Sequence, residues 1–152
     1  MRVSSNSPSL KGVPDYSLLI QNETSAMTTI LVVNDDVALI KLYQLILEQQ
    51  GYDVIGVCTS YEALDILNSV KPDLIITNIA RHPIDGWEFI LRCKTNPLTR
   101  EIPVIVASAQ IYTPEKQQEY GKYIDEYIQL VFTPDVLVDA IKRVLEKGNI
   151  DH

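Results

Sequence analysis

The tripeptide Asn34-Asp35-Asp36 follows directly on the apolar run Ile30 to Val33. Adjacent acids at the end of a buried run suit a hard divalent cation such as Mg²⁺, which is held through oxygens. A phosphate or flavin site would instead need Gly, Ser or Thr there, so that backbone N–H groups could wrap the anion. Two more apolar runs end on polar residues, Asn78 and Ser108, and a third, 127–130, ends on Leu130. Those six positions are the candidates for chemistry. His82 and His152 stand alone, and isolated histidines are read as solvent-exposed filler. Cys58 and Cys93 have neither metal-ligand nor disulfide-framework spacing, so they are expected to be reduced thiols that pack as small apolar side chains.

The elements that must position these residues alternate regularly. The β-branched run 29–33 reads as a buried strand, and Leu39, Leu42, Tyr43, Ile46 and Leu47 follow at helical spacing, with Gly51 at the C′ position. A second strand, 52–57, precedes a capping box of Thr59 and Glu62 that opens a helix carrying Ala63, Leu64 and Leu67. Strand 74–77, a helix bearing Trp87, Ile90 and Leu91, and strand 102–107 come next, with Trp87 and Phe89 expected in the core. Thr113 and Pro114 are good N-cap and N1 residues, yet 115–119 is wholly polar, so that helix should bury little and pack loosely. Strand 127–130 leads to a last helix with Val136, Leu137, Ala140, Ile141, Val144 and Leu145 facing inward, which Gly148 is expected to stop.

Five apolar strands alternating with five helices require an α/β fold, a doubly wound five-stranded parallel sheet with helices on both faces. With right-handed crossovers, any site lies at the carboxyl ends of the strands near the switch in strand order, which is where the six positions fall. The chain is 152 residues long, enough for one domain core. A net charge of −7 argues against nucleic-acid backbones and anionic membranes as partners. No apolar run reaches the length of a membrane span and no secretory signal stands at the start, so a cytoplasmic location is expected. Residues 1–26, with six serines and only Leu18, Leu19 and Ile20 as an apolar cluster, are expected to form a disordered tail before a domain over 27–148, and 149–152 a short C-terminal tail. A short helix over 16–21 docking on the domain is the alternative, and both Met1 and Met27 can serve as the start of translation.

Taken in order and on these strands, ILVVNDD (30–36), PDLIITNIARHPIDGWEF (72–89), IPVIVASA (102–109) and YIQLVF (127–132) resemble the receiver domain of bacterial two-component response regulators, over 28–148. The resemblance implies a flavodoxin-like fold of the receiver type. It also implies a site in which two adjacent acids after strand one and an Asp after strand three gather Mg²⁺. That third Asp takes a phosphoryl group from a kinase histidine, and a Ser or Thr after strand four and a Lys after strand five bind it. An aromatic residue on strand five reads the event out.

On this mapping the acceptor position is Asn78, the first member of the acidic pair is Asn34, the Lys position is Leu130, and Val131 stands where a Pro usually follows. Asp35, Ser108 and Tyr127 remain. Asp36 is read as the N-cap of the first helix, because the apolar run ends directly at Asn34. A neutral amide is a poor nucleophile, so phosphoryl transfer by the usual route should fail at Asn78. With Asp35 as the one acid left, the pocket has less need of a buried ammonium, and Leu130 fits that change. No cofactor is expected, with weak Mg²⁺ at Asp35 at most.

The expectation is therefore a degenerate, pseudo-receiver module, not an enzyme, that acts by phosphorylation-independent protein–protein interaction in a two-component system. Its partner would be a histidine kinase or another signalling protein, and the chain itself a monomer or weak homodimer. Tyr112, Tyr120 and Tyr123, on and beside the polar helix, are the partner-face candidates, with ordinary packing of that helix as the alternative. The rival functions are a phospho-acceptor at Asp35, Asp36 or Ser108, and a small-ligand pocket in the altered acidic site.

Overall fold

Asp36, Thr59, Asp85 and Thr113 each turn a side-chain oxygen onto a backbone N–H of the helix that follows, and these four caps mark where strands give way to helices. The computed structural model describes residues 27–80 and 84–150. The expected tail over 1–26, His82 and His152 lie outside the described residues. The strands are β1 (Thr29–Val33), β2 (Asp53–Val57), β3 (Leu74–Thr77), β4 (Val104–Ser108) and β5 (Glu126–Gln129). The helices are α1 (Val37–Glu48), α2 (Ser60–Ile66), α3 (Gly86–Lys94), α4 (Pro114–Tyr120) and α5 (Pro134–Ile150), with a 3-10 turn at Gly121–Tyr123.

All strand pairs are parallel, in the order β2-β1-β3-β4-β5, so the chain reverses its direction of travel across the sheet between β1 and β3. Alternate residues of each strand face opposite layers. Ile30, Val32, Leu74, Ile76 and Ile105 meet Ile40, Tyr43 and Leu47 of α1 and Leu137, Ile141 and Val144 of α5. Leu31, Val33, Ile75, Val104 and Val106 meet Ala63 of α2 and Trp87, Phe89, Ile90 and Cys93 of α3. The helices therefore cover both faces, as the uniformly apolar strands require.

The end of α1 follows the expected pattern. Gly51 has φ +88°, its N–H donates to the Glu48 carbonyl at 3.0 Å, and the Tyr52 N–H donates to that of Leu47 at 3.1 Å. The end of α5 does not, since the helix continues through Gly148 to Ile150. A glycine costs only about 1 kcal/mol inside a helix, and the preceding turns of α5 are held by a continuous buried stripe. Strands β2 and β4 start one and two residues later than expected, and β5 begins one residue earlier and ends before Leu130. Cys93 is buried and Cys58 is half-buried, both as free thiols.

Candidate functional site

Register places the site. Val33 pairs with Thr77, so Asn34 and Asn78 leave adjacent strands side by side. The Asn78 N–H donates to the Val33 carbonyl at 3.3 Å and the Asn34 N–H to the Val57 carbonyl at 3.1 Å, which extends the ladder to the last residue before each loop.

Asn34 is 4% exposed, and its side-chain oxygen accepts the Asp36 N–H at 2.8 Å in a local turn. Asp36 in turn accepts from the N–H groups of Ala38 and Leu39 at 3.0 and 3.3 Å, the N-cap role expected of it. Asp35 is exposed and accepts the side-chain amide N–H of Asn78 at 3.2 Å. The structure thus joins Asn34, Asp35 and Asn78 in one small polar cluster. Among the described residues no group of three or more His, Cys, Asp or Glu could hold a metal ion. At this cluster Asp35 is the one carboxylate not used as a helix cap, it already takes the Asn78 amide N–H, and the Asn34 amide oxygen is committed to the turn. It does not fit the several-carboxylate cage of a hard cation.

Gly86 brings α3 against this cluster. Its N–H donates to the Ile79 carbonyl at 2.8 Å. A Cβ at 86 would overlap the Asn78 carbonyl oxygen and stand 2.7 Å from the Ile79 Cα, so only glycine fits.

On the far side, Ser108 is 4% exposed and its hydroxyl accepts the Gln110 N–H at 3.0 Å. Its carbonyl accepts the Leu130 N–H at 2.9 Å, which seats half-buried Leu130 at the end of β5. The Leu130–Val131 peptide is cis, and Val131 is 97% exposed. The Tyr127 hydroxyl donates to the Gln110 carbonyl and Gln129 Nε2 to the Ala109 carbonyl at 2.9 Å. The β4–α4 loop is therefore tied to both β4 and β5.

Tyr112, Tyr120, Tyr123 and Tyr127 are all half-buried and pack on the cluster that contains Trp87. No residue of α4 is fully buried, as its polar sequence implies. Its last residue stacks on Trp87 at 4.3 Å between centroids, a contact that the polar sequence of α4 does not suggest. Burial, and next the neighbouring Tyr127, push the Tyr112 hydroxyl above its ordinary range; burial and then Glu119 do the same for Tyr120. Gln110, Gln129 and the Trp87 stack were not legible as site-linked residues, because nothing in their spacing relates 87 to 112, 120 and 127.

A family model described as the response regulator receiver domain matches residues 30–142. A probable transcriptional regulator, ycf29, of Porphyra purpurea is 30% identical over 122 residues, which cover 80% of this chain and 58% of the relative. The phosphate regulon transcriptional regulatory protein PhoB of Pseudomonas aeruginosa is 31% identical over 119 residues, 78% of this chain and 52% of the relative. The chain thus spans little more than half the length of these curated relatives.

Among solved structures, the N-terminal domain of a response regulator receiver protein from Methanoculleus marisnigri is 42% identical, with a TM-score of 0.67 over 79% of this chain and 98% of that one. A CheY-like receiver domain protein from Methanospirillum hungatei, at 23% identity, shares the fold with a TM-score of 0.77 over 84% of this chain and 100% of that one. The sheet order, the level strand ends and a family match over most of the chain agree: this chain belongs to the response regulator receiver domains of two-component signalling.

Proposed function

We propose that the chain is a pseudo-receiver, a signalling module without a phospho-acceptor Asp that works through phosphorylation-independent contact with another protein. The observation that carries this reading is Asn78 at the end of β3, its amide donated to the lone Asp35 carboxylate. A phosphoryl group moves onto an ionised oxygen, and an amide turned to donate a hydrogen bond offers none. Asn34 and Leu130 support the same reading, since the pocket has one carboxylate to neutralise and no ammonium to do so. Mg²⁺ is weakly held at Asp35 at most, and the module carries out no reaction of its own.

The partner is a protein, such as a histidine kinase or another signalling component, met at the face made by α4, β5 and α5. The net charge of −7 disfavours nucleic acid, and no described helix is long and apolar enough to cross a membrane. The module works in the cytoplasm as a monomer or weak homodimer.

Incubation of the full chain with acetyl phosphate or phosphoramidate and Mg²⁺, followed by intact mass, tests the reading. No phosphoryl mass gain is expected. A stoichiometric adduct would overturn it, and its location on Asp35, Asp36 or Ser108 would identify the residue in use.

A further inference from the structure

Trp87 follows Gly86 in α3, is 6% exposed and is the chain's single tryptophan. Its ring stacks on Tyr120 at 4.3 Å with 17° between planes, and lies 6.2 and 6.4 Å from the rings of Tyr112 and Tyr127. Tyr112 and Tyr127 stack on each other at 4.4 Å and 4°. Four rings from α3, the β4–α4 loop, the end of α4 and β5 therefore form one block. Lys116 of α4 closes it, with Nζ 5.2 Å from the Tyr120 ring and 5.7 Å from that of Trp87.

We infer that this block is a clamp that holds α4 and Tyr127 in one arrangement regardless of the state of the Asn34, Asp35 and Asn78 pocket. The helix has no fully buried residue, so Tyr120 on Trp87 is the apolar anchor at its C-terminal end. Tyr127 is fixed twice, its ring against Tyr112 and Trp87 and its hydroxyl on the Gln110 carbonyl. Movement of either would have to part stacked aromatic faces, whose attraction adds to the area they bury. The loop between Ser108 and Tyr112 is pinned as well, through the Gln110 N–H and the Ala109 carbonyl. The inference rests on the reading of a phosphorylation-independent module and states how such a module works: its partner face is preset by aromatic packing.

The single tryptophan makes the clamp directly observable. In the full chain, Tyr120→Ala is expected to shift Trp87 emission and to raise amide exchange over residues 114–123 by about tenfold, with β1 and β3 unchanged. Tyr120→Phe keeps the ring and should retain both wild-type signals. Asp35→Ala, which removes the one partner that the Asn78 amide is shown donating to, should leave Trp87 emission and exchange over residues 114–123 as in the wild type. Unchanged exchange in Tyr120→Ala, identical behaviour of the Phe and Ala variants, or altered Trp87 emission in Asp35→Ala each overturns the clamp. Phosphoryl mass gain from acetyl phosphate is a separate outcome that overturns the functional reading, because the Tyr120 variants report on packing whether or not phosphate is taken up.

Discussion

Asn78 donates its amide to the Asp35 carboxylate at 3.2 Å, across the two strands where the sheet changes direction. Asn78→Asp would replace that donor with a second acid at the same distance, and two carboxylates so close resist joint ionisation. The folded variant then binds a proton that the unfolded chain releases, so stability falls as pH rises and recovers as it drops. We expect Asn78→Asp to melt lower at pH 7 by the equivalent of about 1 kcal/mol, with the deficit closing only as pH falls below about 5 toward the ordinary carboxylate value of about 4. Equal melting of variant and wild type at pH 7 would show that the amide contact contributes nothing.

The same variant should not regain efficient phosphoryl transfer. Asn34 is still locked in its turn with Asp36, and Leu130 still supplies no cation. Intact mass after acetyl phosphate and Mg²⁺ is expected to show little adduct. Rapid, complete labelling would mean that positions 34 and 130 matter far less than the acceptor.

Millimolar Mg²⁺ should leave the wild-type melting temperature nearly unchanged, because a ligand stabilises only in proportion to its occupancy of the folded state. The double variant Asn34→Asp, Asn78→Asp should gain a clear Mg²⁺-dependent rise. A rise of several degrees in the wild type would contradict the account of the donor set.

Removal of residues 1–26 should leave the melting temperature nearly unaltered. Within that segment only Leu18, Leu19 and Ile20 form an apolar cluster, without helix-length periodicity. A loss of several degrees on deletion would mean that Leu18, Leu19 and Ile20 contribute to the core.

Tyr43, 3% exposed between α1 and the sheet, has its hydroxyl pushed up to about 12 by burial. A phenol whose folded value lies above its unfolded value of about 10 adds stability that is complete below the unfolded value and lost as pH rises through the folded one. Between pH 10 and 12 the wild type should lose on the order of 2 to 3 kcal/mol that Tyr43→Phe does not lose. Parallel alkaline denaturation curves for the two proteins would show that the phenol is not the group responsible.

Much of this was readable where one residue acts on its own neighbours. Asp36, Thr59 and Thr113 cap because a short oxygen-bearing side chain reaches an N–H two or three residues on, and Gly51 takes the one positive φ that closes α1. The grouping of Asn34, Asp35 and Asn78 came from the receiver resemblance, and the register of β1 against β3 gives its physical reason, since parallel neighbours with level ends bring their next residues together. Contacts between distant loops were not readable. Trp87 meets Tyr120, and Tyr112 meets Tyr127, through the relative placement of α3, α4 and β5, which no local period encodes. Gly148 misled for the opposite reason: packing of the preceding turns outweighed a local preference.

Gly86 also has a mechanical meaning. Its missing Cβ seats α3 directly on the backbone of Asn78 and Ile79, and the next residue along the helix is Trp87. One peptide unit therefore separates the floor of the polar cluster from the aromatic anchor of α4. A side chain as small as a methyl at 86 would act as a wedge under a short lever, lifting the indole and with it the tyrosine faces that rest on it.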